Sequence, residues 1–245
     1  MEHAGHPYPA AIEPRAQLAL VELDGEQTAD PELLAAGQDH LRELTRCSPR
    51  LHDGRVLALD RAHSSHLSAR RAGYLAAVAT TDSLRAEWER QGRGPLRERA
   101  HALAAPDPLR TGDGRVAAIG LAAAATHGGR VLVARRSLRL AADPGHWHVA
   151  PSGMLEPGAP LEDQLQRELA EELGVAASGA PALLGLGFDL LRLRPELCWS
   201  LELYSERVEL GDEFAEACWI DPAGAWPEPL TPAAAATLAL LAARA

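Results

Sequence analysis

The stretch from Gly153 to Val175, GMLEPGAPLEDQLQRELAEELGV, runs a glycine-bearing loop into one amphipathic helix and puts its acids where a surface helix would not. At about 100° per residue, Leu161, Leu165, Leu169 and Leu173 form an apolar stripe. Glu168, Glu171 and Glu172 cluster along one edge of that stripe, and Glu172 falls inside the arc between Leu161 and Leu165. Carboxylates crowded at such a boundary repel one another and are costly to desolvate unless a cation sits among them. Oxygen-only ligands of this kind suit Mg²⁺ or Mn²⁺. Gly174, directly after the last periodic leucine, predicts a left-handed stop, and Pro160 suits the first turn. The alternative is a plain surface helix with a solvated acidic face, which the closeness of the acids to the stripe disfavours.

Upstream, strand and helix signals alternate. The start, to about Pro14, reads as a poorly ordered segment bearing prolines and histidines. Gln17–Leu23 and Arg55–Asp60 read as strands and Pro31–Arg46 as a helix, while the run around His63 and His66 reads as an exposed loop. Tyr74–Thr81 is short and apolar, after which Asp82 or Ser83 caps a helix containing Leu84 and Trp88. Prolines and Gly-Asp steps between Ala104 and Gly114 make the best joint in the chain. They divide an α+β region, 1–112, from 113–245; the first part is either a separate domain or an extension of the second.

Past the joint, Val116–Ala125 and Arg130–Arg136 are expected strands around a His127-Gly128-Gly129 turn. In RVLVARR, alternation sends Val131, Val133 and Arg135 to one face and Leu132, Ala134 and Arg136 to the other. Arg135 or Arg136 is thereby placed to neutralise a phosphate, against the alternative of a solvated strand-end arginine. His146 and His148 share a strand face, but with no third nitrogen or sulfur ligand evident they are not read as a metal pair. Leu183–Asp189, Leu197–Tyr204 and Cys218–Asp221 are further strands, and Thr231–Arg244 is a closing helix capped by Thr231.

A formal net charge of -10 argues against a duplex nucleic-acid partner, which needs a basic footprint, but not against small anions beside a metal. Cys47, Cys198 and Cys218 lie too far apart for a zinc knuckle or disulfide framework. No basic-then-apolar leader and no run of membrane-spanning length is present, so no membrane partner and a cytoplasmic location are expected.

Gly153, a five-residue gap, Ala159, a seven-residue gap and then Arg167-Glu168-Leu169-x-Glu171-Glu172-x-Gly174-Val175 closely resemble the Nudix box. The family's pattern has Glu where this chain has Ala159. The resemblance implies an α/β fold, the Nudix-type α/β/α sandwich around a mixed sheet, here with an N-terminal α+β region added. It implies a hydrolase of a nucleoside diphosphate linked to another group, dependent on Mg²⁺ or Mn²⁺. Glu168, Glu171 and Glu172 would hold metal. Gly153, counted with Arg135 and Arg136 as substrate-binding, would allow the loop its close turn over the helix, and Arg167 would brace that loop. Ala159 puts the bracing in doubt, and Glu156 is the nearby carboxylate that would compensate. The general base is left open among Glu171, Glu172, Glu213 and Glu216. The approach to the box through Arg135, Arg136 and Trp147 is similar to that of the UDP-glucose-hydrolysing group, so a nucleotide sugar is one expected substrate. Phe188, Trp199 and Tyr204 are aromatics for stacking or for the core. A homodimer is left open. The competing readings are a non-catalytic nucleotide sensor, suggested by Ala159, and a prenyl diphosphate isomerase, which lacks its cysteine near Gly153.

Overall fold

The computed structural model describes residues 10–14, 17–47, 53–63, 65–91, 114–140 and 142–244. In chain order these form β1 (Ala10–Pro14), β2 (Ala19–Glu26), α1 (Pro31–Cys47), β3 (Arg55–Ala62) and β4 (His66–Gly73). Helix α2 (Tyr74–Ala77), a π-helical turn over Val78–Asp82 and α3 (Ser83–Gln91) follow without a break. Next come β5 (Gly120–His127), β6 (Arg130–Arg136), β7 (Trp147–Val149), β8 (Ser152–Met154) and α4 (Leu161–Leu173). The chain closes with β9 (Ala182–Asp189), β10 (Arg194–Glu202), β11 (Phe214–Ile220) and α5 (Pro232–Ala242).

The main sheet has the order β1-β9-β10-β5-β6-β11, with β7 added beside β6 and β8 beside β5. Among the described strands of this sheet, β10 and β5 pair in parallel and the other pairs are antiparallel, so the sheet is mixed and the fold is α/β. β5 is alanine-rich and buried from Gly120 to Ala125, as a strand covered on both faces must be. Leu132 and Ala134 of β6 enter the core under α4, whereas Val131 and Val133 enter the one under α5. Helix α5, PAAAATLALLA, is apolar nearly all round and buried accordingly; the Thr231 hydroxyl caps it by accepting from the Ala234 N–H.

The boundary at 112 does not interrupt the packing. Leu57, Leu59, Leu67 and Ala69 share one apolar cluster with Leu165, Leu169 and Leu173 of α4. The three-stranded sheet β2-β4-β3 is stitched on through β3, where the Leu57 N–H donates to Leu155 O at 2.7 Å and the Ile119 N–H to Leu57 O at 2.9 Å. Leu33 of α1 and Leu84 of α3 pack on Phe188 and Leu193 around the β9–β10 turn.

Three expectations change. Ala10–Pro14 is a strand paired antiparallel with β9, not part of a poorly ordered start. His66–Gly73 is a strand, not a loop; its arginines hide the pattern because Arg70 and Arg71 lie against Asp60 and Glu22 on neighbouring strands. The helix expected to begin at Asp82 or Ser83 begins at Tyr74, and Asp82 is an interior residue of it, not a cap. His3, His6 and the joint between Ala104 and Asp113 lie outside the described residues. No helix among the described residues is long and apolar enough to cross a membrane.

Candidate active site

Helix α4 sorts its side chains by rows four residues apart. Leu165, Leu169 and Leu173 are fully buried, and the adjoining row Gln164, Glu168, Glu172 climbs the edge of the stripe. Each buried leucine contributes about 1.5–3 kcal/mol. That holds the helix down firmly enough to force polar neighbours into the interior with it. Glu172 is only 5 % exposed, Glu168 is partly buried and Glu171 is exposed. Gly174, at φ 64°, ends the helix in the left-handed conformation expected of it.

Glu172 is aimed by β8. Its Oε1 accepts from the Ser152 N–H at 3.2 Å and from the Ser152 hydroxyl at 3.3 Å, while its Oε2 is buried without a hydrogen-bond partner. Burial first, then the charge of Glu213, hold its carboxyl well above the ordinary glutamate value, with the Ser152 bonds pulling the other way. For Glu168, burial and then the neighbouring Glu171 push the carboxyl from 4.5 up to about 7. Gly153 makes the approach of Glu168 feasible, since a Cβ there would lie 2.9 Å from Glu168 Oε1. The loop before β11 closes over the far end of α4, where the Gly211 N–H donates to Glu172 O at 2.8 Å; a Cβ on Gly211 would meet Glu171 O at 2.8 Å.

The loop between β8 and α4 is braced without a carboxylate at position 159. Arg167 pairs with Glu156 at 2.8 Å and lies 3.8 Å from Glu168. Buried Gln164 holds the same loop from beneath. Its Nε2 donates to Glu156 O at 2.8 Å and to Ala159 O at 3.2 Å, and its Oε1 accepts from the Glu156 N–H at 3.0 Å. Glu156 is thus the carboxylate paired with Arg167 in this loop, and Gln164, which local pattern does not announce, is a second support.

The two strand-end arginines part company. Arg135 is on the α5 side of the sheet with its cross-strand neighbour Glu216, at 2.9 Å, away from the carboxylate row. Arg136 is on the α4 side, largely buried, within electrostatic reach of Glu213 and Glu172. The structure therefore brings Arg136 and Glu213 to Glu168 and Glu172 and leaves Arg135 and Glu216 paired with each other. A register shift between Phe214 and Glu216 separates these two glutamates.

His146 stays near the surface, its Nδ1 beside Pro144 O, while buried His148 meets the Thr231 hydroxyl. Phe188 and Trp199 are core residues, and Tyr204 is exposed. Cys198 is buried and Cys218 partly so, both with free thiols.

Comparison with known proteins matches the NUDIX domain to residues 114–241, more than half of the chain. The chain belongs to the Nudix family. An uncharacterized Nudix hydrolase of Pseudomonas aeruginosa, PA4841, is 47% identical over 47 residues, which are 19% of this chain and 28% of that protein. The chain thus spans well under half the length of that curated relative. A MutT NUDIX hydrolase from Burkholderia pseudomallei is 25% identical over 51% of this chain and 97% of its own, with a TM-score of 0.42. The E. coli ORF135 protein is 27% identical over 52% and 92%, with a TM-score of 0.40.

Within this Nudix box, the donor set fits a hard divalent cation. It offers oxygens only, one of them the orphaned Glu172 Oε2, and two of its carboxylates are held above their ordinary pKa by burial and mutual charge. Among the described residues no three His, Cys, Asp or Glu side chains are already grouped around one point.

Proposed function

We propose that this Nudix chain is a divalent-metal-dependent hydrolase that cleaves a diphosphate bond in a nucleoside diphosphate linked to another group. The observation that carries this is Glu172. A carboxylate 5 % exposed, aimed by Ser152 through one oxygen and unpartnered at the other, has a large desolvation cost that a bound cation offsets. Mg²⁺ or Mn²⁺ held by Glu168, Glu171 and Glu172 would neutralise phosphate oxygens and lower the pKa of a nearby water.

The chain's own residues supply the rest. Ser152 orients Glu172, Gly153 leaves room for Glu168, and the Arg167–Glu156 pair with Gln164 fixes the loop between them. Arg136, on the same face and within electrostatic reach of Glu172 and Glu213, would hold a substrate phosphate. Glu213 is exposed and close enough to perturb Glu172, so it joins Glu171 and Glu172 as a base for the water's proton; Glu216, engaged with Arg135, does not. Such a base contributes roughly 10² to 10⁴ in rate.

The test is a chromatographic screen of the products formed, with and without Mg²⁺ or Mn²⁺, over nucleotide sugars, dinucleotides, nucleoside triphosphates and prenyl diphosphates. Metal-dependent turnover of a nucleoside diphosphate conjugate is the expected result. No turnover of any class with either metal would overturn the reading, and prenyl diphosphate isomerisation would replace it.

A further inference from the structure

Arg192, in the turn between β9 and β10, is 4 % exposed and surrounded by three carboxylates. Its Nε donates to Asp82, its guanidinium to Asp189 Oδ2 at 2.9 Å and to Asp143 Oδ2 at 3.0 Å. Arg85 of α3 pairs with the other oxygen of Asp143 and with Glu89. The cluster joins the helical segment after β4, through Asp82 and Arg85, to the segment after β6, through Asp143.

That second segment leads from Arg136. The Arg136 Nε–H donates to Ala142 O at 3.0 Å, next to Asp143, and the Arg136 N–H donates to His146 O at 2.8 Å. The Ser137 N–H donates to Glu213 O at 2.7 Å. The contacts therefore run from Asp82 and Arg85 through Arg192 and Asp143 to Ala142, then to the Arg136 guanidinium beside Glu172 and Glu213. Asp82 is the last residue of the π-helical turn, a local widening that is frequent at functional sites. Tyr74, at the start of the same helical segment, lies within electrostatic reach of Arg136, Arg192 and Arg194.

We propose that Asp82, Arg85 and Arg192 are positioning residues for Arg136, so that residues 74–91, outside the matched family region, set the affinity of the site for its anionic substrate. The proposal rests on the hydrolase reading for the identity of that substrate. Gathering three carboxylates and two guanidiniums in one largely buried cluster is a poor route to stability compared with apolar packing, and the Leu33, Leu84, Phe188 and Leu193 patch already holds α3 to the β9–β10 turn. What the cluster adds is a defined direction for the segment that holds Arg136.

The test uses the full chain with Asp82→Asn, Arg85→Met, Arg136→Gln and the double variants of the first two with Arg136→Gln. On the substrate found by the screen, Asp82→Asn and Arg85→Met are expected to raise KM about tenfold with kcat little changed, because a displaced clamp weakens binding. Each double variant is expected to be no worse than Arg136→Gln alone, because both changes act through one guanidinium. Additive effects, or an unchanged KM in Arg85→Met, would overturn the proposal and leave the hydrolase reading standing. Arg85→Met spares all three carboxylate contacts of Arg192, so it reads out the idea even if Asp82→Asn fails to fold. Titration with ADP and Mn²⁺ gives a second readout. The same non-additive loss of ADP affinity in a protein that turns over nothing would support the positioning role while the hydrolase reading falls. A protein that neither turns over substrate nor binds ADP overturns both.

Discussion

Glu168→Gln should make the metal-free protein more stable at neutral pH and above, but not below about pH 4.5. The wild-type carboxyl is raised from 4.5 to about 7. For a carboxyl raised on folding, the folded state binds the proton more tightly than the unfolded one. Its stabilising contribution is complete below about 4.5 and is lost as pH rises through about 7. The full gap corresponds to about 3 kcal/mol at 1.36 kcal/mol per pKa unit, which solvent screening of this partly exposed side chain reduces to about 1–2 kcal/mol. Glutamine has nothing to ionise, so it escapes the loss. His148, held well below its ordinary value by burial, costs stability as pH falls through the same range, but equally in both proteins. The quantity to measure is therefore the difference in unfolding free energy between variant and wild type, from urea titrations in EDTA at pH 5, 6, 7 and 8. It should rise towards the variant across that series and reverse when Mn²⁺ is added, since only the wild type keeps the full ligand set. A difference that is flat with pH, or that favours wild type in EDTA at pH 8, would refute the claim that Glu168 is an electrostatically strained ligand.

Glu172→Gln should lower turnover by roughly two orders of magnitude while leaving the unfolding temperature unchanged or slightly higher, because the shape and the Ser152 contact survive but the charge does not; a much lower unfolding temperature with retained specific activity would make Glu172 structural. Glu156→Ala should raise the Mg²⁺ concentration needed for half-maximal rate by at most about fivefold, since the pair with Arg167 is half exposed and worth under about 1 kcal/mol. Ala159→Glu should change little in the wild type but restore the Mg²⁺ dependence of Glu156→Ala, and failure of that rescue would show that position 159 cannot brace this loop. Gly153→Ala should fold, because the atom it meets is the end of a flexible side chain, yet turn over more slowly as Glu168 is pushed aside; unchanged initial rates across a Mg²⁺ series would show that the approach of Glu168 to the loop is dispensable.

The box helix was legible because its information is local. Four leucines in one row, a glycine at the end and an acid inside the apolar arc are enough to predict a half-buried carboxylate row, and Glu172 proves the most buried of the three. That Glu213 lies near Glu172 while Glu216 pairs with Arg135 was not legible, since it goes with a register shift in β11 that no spacing announces. Asp82 reads locally as a cap because Asp before an amphipathic run commonly is one, but its partner Arg192 stands 110 residues away. β4 was hidden for a similar reason. HLSARRAG is too polar to look like a strand until Asp60 and Glu22 are known to lie beside its arginines. Gln164 left only a faint sign, a polar residue next to the leucine stripe and one turn before Glu168.

The leucines of β3 and β4 belong to the same apolar cluster as the three leucines that seat the box helix. Opening of the small sheet would uncover the buried side of α4, so the two should melt in one cooperative transition. Amide protons of Leu57 and Ile119, bonded across the junction, should then exchange with solvent no faster than those of α4 itself. A ligand that clamps the carboxylate row would slow exchange in β3 and β4, which makes these strands a built-in reporter of occupancy at the active site.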